Sequence, residues 1–522
     1  MLLHGWRRAL LAFAAGLVAT LGLAPVNVPA VGFLSFPVLV WLLDGASGRP
    51  GAGLFRRVAP AFRIGWCFGF GYFLGGLWWL GAAVLQGGTA FLWALPLAVL
   101  GLPMVLSVYH GLAAAVARLA WSDGPGRLFA LAASFAGFEW LRGTLLTGFT
   151  WNELGVLAAP VPLLMGSLSL IGLHGLTILA VFVFSLPALL AGAPRGRALT
   201  AAFGVAILAA HAGYGAWHLS QAPIGTVPDV ALRIVQPAIL QSDKWDPAEA
   251  DANFAKLLSL TSGGEPAAEN TRRLVVWPES AFPFILTDRP DAVTRLADAL
   301  APTDTLMAGA TRVEGETSDP GARFYNSLYV IDSSGAVRDA GDKLHLVPFG
   351  EYLPFQEALE SLGITQLTML PGGFSAGSSR RVMRAGEGDP SFLPLICYEA
   401  IFPDEILGSG ESRPDFLLNV TNDAWYGHTP GPYQHLKQAQ LTAAAFGLPL
   451  VRAANTGISV VTDSVGRPVA GLSLGEGGTV DAALPVAGPP TVYSRIGNLA
   501  FAAIVSLFAL LGIAASVRSG RV

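Results

Sequence analysis

Ser391-Phe392-Leu393-Pro394-Leu395-Ile396-Cys397-Tyr398-Glu399 is the stretch on which the reading of the fold turns. Phe392 to Ile396 is a short apolar run with the length of a buried strand, and it ends on a cysteine. A second run, Leu274 to Trp277, ends in the same manner, in Val276-Trp277-Pro278-Glu279-Ser280. Further short runs recur at Ala231 to Val235, Thr305 to Ala308, Leu328 to Ile331, Phe416 to Val420 and Val460 to Thr462. Longer amphipathic stretches separate them, at Pro247 to Leu260, Arg289 to Leu300 and Tyr433 to Phe446. Strands alternating with helices predict an α/β domain over residues 221–492, and about 270 residues can bury a layered core.

Functional groups in open α/β sheets collect beyond the carboxyl ends of strands, where both Glu279 and Cys397 fall. Between them lies a third signature, Lys343-Leu344-His345-Leu346-Val347-Pro348-Phe349-Gly350-Glu351-Tyr352. A cysteine thiol has a pKa of about 8.5, so a nucleophilic role calls for a nearby base or positive charge. Glu279 can supply the base and Lys343 the charge. The same ammonium can stabilise the oxyanion that acyl transfer builds. Each residue alone has a plainer reading: a small buried cysteine, an acid at a turn, a solvated lysine. Only the constellation carries weight.

The rest of the chain is of another kind. Of 522 residues, 52% are hydrophobic and 13% charged, about half the charge of ordinary soluble domains. Residues 1–220 carry eleven Arg, four acids and no Lys. Apolar runs of roughly the 20 residues needed to cross a bilayer lie near 9–24, 30–44, 63–85, 91–117, 127–143, 165–192, 198–217 and 496–516. They predict about eight spans, seven before the α/β domain and one after. The first, from Arg7 to Ala24, is expected to be a membrane helix and not a cleaved leader, because further apolar runs follow at once. Arg7, Arg8, Arg49, Arg56, Arg57, Arg118, Arg127, Arg195, Arg197, Arg518 and Arg521 fall on one side of this pattern, which marks the cytoplasm and places residues 221–492 outside. Arg142 and Arg495 are exceptions. The net charge of -4 argues against a nucleic-acid partner. Cys67 and Cys397 lie in segments of unlike character, so no disulfide framework is expected.

Glu, Lys and Cys in this order and these contexts resemble the nitrilase, or carbon-nitrogen hydrolase, superfamily. With the pattern of spans, the whole chain resembles the apolipoprotein N-acyltransferase family. The resemblance implies a multi-pass α-helical membrane domain with about seven helices at 1–220, an extracytoplasmic nitrilase-like αββα sandwich at 221–492, and a C-terminal transmembrane helix with a cytoplasmic tail at 493–522. It implies Glu279 as general base, Cys397 as nucleophile and Lys343 as oxyanion stabiliser, with Glu351, Tyr398 and Glu399 in support. Trp245, in Gln241-Ser242-Asp243-Lys244-Trp245-Asp246-Pro247, and Trp425, in Asn422-Asp423-Ala424-Trp425-Tyr426-Gly427, match family motifs and are expected to line the lipid entry.

The implied reaction moves an acyl chain from a membrane phospholipid, through a Cys397 thioester, to the α-amino group of a diacylglyceryl-modified apolipoprotein. No metal and no cofactor are expected, and the protein is expected to be a monomer of the bacterial inner membrane with its catalytic domain in the periplasm. A membrane-tethered amidase and a transporter with an outer binding domain remain open on the residues alone. Phe138-Glu139-Trp140-Leu141-Arg142-Gly143 matches a further family segment, with a Glu139–Arg142 pair at helical spacing favoured over a substrate contact. His110, His174 and His211 read as packing or interfacial residues. The apolar segment 355–374, ending in Pro371-Gly372-Gly373, is expected to be a lid over the acyl pocket.

Overall fold

The computed structural model describes residues 4–48, 51, 53–86, 88–191, 196–263, 271–317, 319, 321–355, 361, 373–407 and 412–518. The expected lid lies outside the described residues, apart from Phe355, Ser361, Gly373 and Phe374, as do Arg49 and Arg195.

Each apolar run of the N-terminal part holds a helix, yet the runs differ in their fitness to cross a bilayer. Phe91–Leu119, Leu168–Leu190, Arg197–Ser220 and Leu499–Arg518 are long and apolar enough among the described residues. Leu54–Leu77 with Leu80–Gln86 would make a fifth span, bent by 49° at the break. Trp6–Ala19 and Gly32–Asp44 have only 14 and 13 helical residues, short of the roughly 20 that a straight span needs. Gly126–Thr144 is long enough at 19 residues, but Arg127, Glu139 and Arg142 interrupt its apolar character. Leu168–Leu190 is the central helix, 72% buried, whereas Phe91–Leu119 is 17% buried and turns most of its apolar surface outward.

The buried charges inside these helices are paired, which is what burial in an apolar medium demands. Glu139 accepts from Arg142 at 2.5 Å one helical turn away, and it also meets His110 at 2.5 Å. Arg142 reaches the carbonyls of Phe149 and Trp151. His174 lies 3.0 Å from Glu153 and 3.5 Å from Asp404, and His211 bonds Ser167 and the Ala158 carbonyl. The three histidines are thus members of polar clusters, not simple packing residues, because neighbouring helices bring them partners far away in sequence. At the other end of the Gly126–Thr144 helix, Arg127 lies 3.3 Å from Asp44. Arg8 and Arg118 donate to the nearby Gly45 and Ala46 carbonyls.

From Thr226 the chain becomes strand-rich. One sheet has the order β12-β1-β2-β3-β4-β5, with β1 Thr226–Gln236, β2 Arg272–Trp277, β3 Asp304–Glu314, β4 Arg323–Ile331, β5 Val337–Asp342 and β12 Gly478–Pro485. The other has the order β11-β10-β9-β8-β7-β6, with β6 Met383–Arg384, β7 Ser391–Ile396, β8 Phe416–Thr421, β9 Leu450–Ala454, β10 Ser459–Thr462 and β11 Pro468–Leu472. Each sheet has a parallel centre, β1-β2-β3 in one and β7-β8-β9 in the other. Central parallel strands are buried on both faces, which is why Leu274 to Trp277 of β2 and Phe392 to Ile396 of β7 read as unbroken apolar runs.

The alternation of side chains assigns each residue to a layer. Leu232, Ile234, Leu274 and Val276 of the first sheet meet Phe392, Ile396, Leu418 and Val420 of the second in a buried cluster between the sheets. On the opposite face of the first sheet, Val275, Trp277 and Leu306 pack on Phe254 and Leu257 of the Ala250–Ser262 helix and Leu296 of the Pro290–Ala299 helix. On the opposite face of the second, Leu393, Leu395 and Leu417 join Ala439, Ala443 and Phe446 of the Pro430–Phe446 helix, in a core continuous with the apolar helices. The layers run α-β-β-α and then continue into the N-terminal helices. Each fully buried Val, Leu, Ile or Phe contributes about 1.5–3 kcal/mol.

Polar pins fix the two parts together. Gln434 Oε1 accepts from Trp79 Nε1, Trp151 Nε1 and Asn152 Nδ2 at 3.1, 3.1 and 2.9 Å. Thr150 donates to the Ile401 carbonyl at 2.6 Å, and Lys437 to that of Pro160 at 2.8 Å.

Candidate active site

Sheet topology brings the three sequence signatures to one place. Glu279 follows the end of β2, Lys343 follows β5 and Cys397 follows β7. Gly309 of β3 lets the Glu279 turn lie close, since a Cβ there would stand 2.5 Å from the Glu279 Cα. Cys397 (φ 53°) and Ser280 (φ 48°) are both held in the left-handed region, which a non-glycine residue occupies only when its surroundings enforce it. For Cys397 the surroundings are visible. His435 Nε2 lies 3.1 Å from its carbonyl oxygen and Asn419 Nδ2 3.4 Å. His435 Nδ1 is in turn 2.8 Å from Asp423, which accepts from Arg452 at 2.7 Å.

The side chains that follow form a dense buried network. Glu279 accepts from the Asn326 amide at 2.7 Å, from the Asn422 backbone N–H at 2.8 Å and from Lys343 Nζ at 3.5 Å. Lys343 Nζ donates to Glu351 at 2.8 Å, and Asn326 donates to the same Glu351 oxygen at 2.8 Å. Glu351 is fixed from its other oxygen by the Val347 N–H at 2.8 Å. The Cys397 thiol lies within reach of the Glu279 and Lys343 charges. Glu279, Lys343, Glu351 and Cys397 are therefore one cluster.

Electrostatics assign a resting state to it. Burial opposes charge on Glu279, but Lys343, Lys244 and the Asn326 amide outweigh it and hold the carboxyl below its usual range. Burial also opposes charge on Lys343, yet Glu351 and Glu279 carry its pKa well above the ordinary lysine value. The Cys397 thiol moves the other way: burial and the Glu279 charge push it up, and Lys343 offsets only part of this. Lys343 favours the thiolate as expected, but burial and the Glu279 charge outweigh it. The resting site holds a thiol beside a carboxylate, and proton transfer must accompany nucleophilic attack.

Tyr398 and Glu399 lie next to Cys397 but point elsewhere. Glu399 accepts from Leu344 N at 2.9 Å, from Arg380 at 2.9 Å and from Ile396 N at 2.7 Å, bracing the Lys343 loop against the end of β7. Tyr398 packs edge-on against Phe402 at 4.9 Å, with its hydroxyl 3.5 Å from the Gly148 carbonyl of the N-terminal helical part. Trp245 is 43% exposed and Trp425 is half-buried, so both lie at the margin of the cluster. Their neighbours enter it: Lys244 donates to the Glu279 carbonyl at 2.9 Å, and Asn422 donates to the Glu279 carboxylate. Lys244, Asn326, Asn422, His435 and Arg452 were not singled out in the sequence. Arg452 alone left a signal, as a charge inside the apolar run Leu450-Val451-Arg452-Ala453.

Two parallel-centred sheets facing each other, with Glu, Lys and Cys at their carboxyl ends, define a nitrilase-like enzyme. Residues 231–488 match the carbon-nitrogen hydrolase family, and residues 15–186 match the apolipoprotein N-acyltransferase N-terminal domain. An apolipoprotein N-acyltransferase of Brucella suis biovar 1 is 52% identical over 489 residues, covering 93% of this chain and 91% of the relative. One from Allorhizobium ampelinum is 49% identical over 522 residues, covering 100% and 98%. Among solved structures, an amidase from Nesterenkonia sp. AN1 is similar at 18% identity and a TM-score of 0.35, over 51% of this chain and 92% of that one. The chain belongs to the apolipoprotein N-acyltransferase family.

Proposed function

We propose that the protein transfers an acyl chain from a membrane phospholipid to the α-amino group of the diacylglyceryl-modified N-terminal cysteine of apolipoproteins, the last step of lipoprotein maturation. The observation that carries the reading is the buried cluster in which the Glu279 carboxylate and the Lys343 ammonium, 3.5 Å apart, both act on the Cys397 thiol.

In the first step the Cys397 sulfur attacks the ester carbonyl of the lipid while Glu279 takes the thiol proton. The carbonyl electrons move to oxygen, and Lys343, relieved of the Glu279 charge, donates to that oxyanion. Collapse breaks the ester C–O bond, and the lysophospholipid oxygen leaves with the proton from Glu279. In the second step the acceptor amine attacks the thioester and gives a proton to Glu279. The C–S bond breaks, and the proton returns to sulfur. Glu351 holds Lys343 through both steps, Tyr398 and Glu399 keep the turn and the Lys343 loop in place, and Trp245 and Trp425 line the lipid entry.

Both substrates are lipid-anchored, so lateral access from the bilayer is an advantage. Residues 1–220 form the membrane part with about seven spans, residues 221–492 the catalytic part, and residues 493–522 a last span with its tail. The short Trp6–Ala19 and Gly32–Asp44 helices count as spans in this reading through the turns that flank them. Arg8, Arg118 and Arg127 gather round Asp44–Ala46, away from the catalytic layers, which supports a cytoplasmic assignment for that end. The catalytic layers then lie in the periplasm, on the inner membrane, and the enzyme works as a monomer.

Orientation is testable by labelling with an impermeant thiol reagent. A cysteine introduced at Ser334 is expected to react in intact spheroplasts and one at Arg56 only after lysis; the opposite order would invert the topology. The reaction is tested with purified protein and acyl-labelled phospholipid. Label is expected to move to a lipopeptide bearing a free α-amine and not to one that is acetylated. Release of free fatty acid irrespective of the amine, or of ammonia from small amides, would instead make the enzyme a membrane-tethered amidase.

A further inference from the structure

Lys244 is a buried cation with no role in the chemistry set out above. It is 5% exposed, and its Nζ donates to the Glu279 carbonyl at 2.9 Å. Its charge is felt by the Glu279 carboxylate and the Cys397 thiol. The Asp243 and Asp246 carboxylates of its own loop accept from Ser242 and from the Ala248 N–H. From the Ala250–Ser262 helix Asn253 donates to the Asp243 carbonyl, and beyond Cys397 the Asp423 carboxylate is engaged by Arg452 and His435.

Glu279 and Glu351 are two buried carboxylates, at 7% and 8% exposure, bridged by the single Asn326 amide. Lys343 lies close to Glu351, at 2.8 Å, and farther from Glu279, at 3.5 Å.

We propose that Lys244 is a positioning residue for the reaction, whose hydrogen bond to the Glu279 carbonyl keeps Glu279 aimed at Cys397 and whose positive charge favours the Cys397 thiolate. The inference rests on the proposed function in taking Glu279 as the base and Cys397 as the nucleophile. Burial lowers the pKa of Lys244 to about 8, against the pull of Glu279 and Cys397. Its charge is therefore present at neutral pH and fades above about 8.

The test is the rate at which iodoacetamide alkylates Cys397 in the full-length detergent-solubilised protein, followed on the Cys397 peptide by mass spectrometry. Lys244→Met removes charge and hydrogen bond, whereas Lys244→Gln keeps a donor for the carbonyl. Both variants are expected to react about tenfold more slowly than the parent near pH 6.5, the equivalent of one pKa unit on the Cys397 thiol, with the gap narrowing below about twofold by pH 9. The direction follows because loss of the Lys244 charge disfavours the Cys397 thiolate, and the parent itself loses that charge at high pH. Equal rates at every pH, slowing by one constant factor, or full recovery in Lys244→Gln would each overturn the charge role. Alkylation needs neither lipid nor amine. Failure of amine-dependent transfer alongside the expected alkylation profile would therefore count against the proposed function and not against Lys244.

Discussion

Replacing Cys397 with alanine is expected to lower acyl transfer at least about a thousandfold, the scale of losing a covalent nucleophile. In the proposed reaction Glu279 takes its proton from the Cys397 sulfur, and alanine leaves the base with nothing to deprotonate. Cys397→Ser is also expected to fail, because a hydroxyl is far harder to deprotonate than a thiol. Glu279→Gln separates geometry from proton transfer: its amide oxygen can still accept from the Asn422 N–H, but it cannot take a proton. The measurement is transfer of labelled acyl chain from phospholipid to lipopeptide by purified variants, with thermal unfolding as a check on folding. Normal transfer by Cys397→Ala would remove the nucleophile assignment.

Asp423→Ala is expected to destabilise the protein by about 3–5 kcal/mol, the range for leaving a buried charge without its partner. Asp423, His435 and Arg452 all have fully buried side chains, and the carboxylate is the acceptor both of the others share. Burial opposes its charge, but Arg452 and His435 hold the carboxyl at about 2, below the ordinary 3.8. A carboxyl depressed in the folded state stabilises that state above its unfolded pKa, and the contribution is lost as pH falls through the folded value. About 2 kcal/mol of the difference between parent and variant is thus expected to disappear as pH drops from about 4 to about 2. Thermal unfolding in detergent across that range measures it. A variant as stable as the parent at neutral pH would show that the network is dispensable. Because His435 contacts the Cys397 carbonyl, the same variant is also expected to alkylate Cys397 more slowly.

The catalytic fold was legible because its central strands are buried on both faces. Leu274 to Trp277 and Phe392 to Ile396 had to be unbroken apolar runs, and both form strands. The strands that escaped notice are of other kinds. Val337–Asp342, Pro468–Leu472 and Gly478–Pro485 are part-exposed edge strands with mixed composition, Met383–Arg384 is two residues long, and Leu450–Ala454 conceals Arg452. The helical part was legible as apolar but not in its partnerships. His110 finds Glu139 only because separate helices pack together, and spacing along the chain carries no trace of that.

The site divides in the same way. Glu279, Lys343, Glu351 and Cys397 sit in local motifs and converge as their positions after strands suggested. Lys244 stood unremarked beside Trp245, because in a polar loop a lysine ordinarily faces water. Its turn inward depends on the Glu279 carbonyl, which β2 presents from elsewhere in the chain. The resting thiol was equally hidden, since the strength of burial against the pull of Lys343 is a property of the folded site.

In the proposed reaction Cys397 carries the acyl chain as a thioester. Purified protein is to be incubated with acyl-labelled phospholipid without acceptor, quenched in acid, digested and read by mass spectrometry. The expected result is the mass of one acyl chain on the peptide containing Cys397, removed by hydroxylamine and discharged by a lipopeptide with a free α-amine. Transfer to the lipopeptide with no adduct on that peptide, or with the acyl chain on another residue, would contradict it.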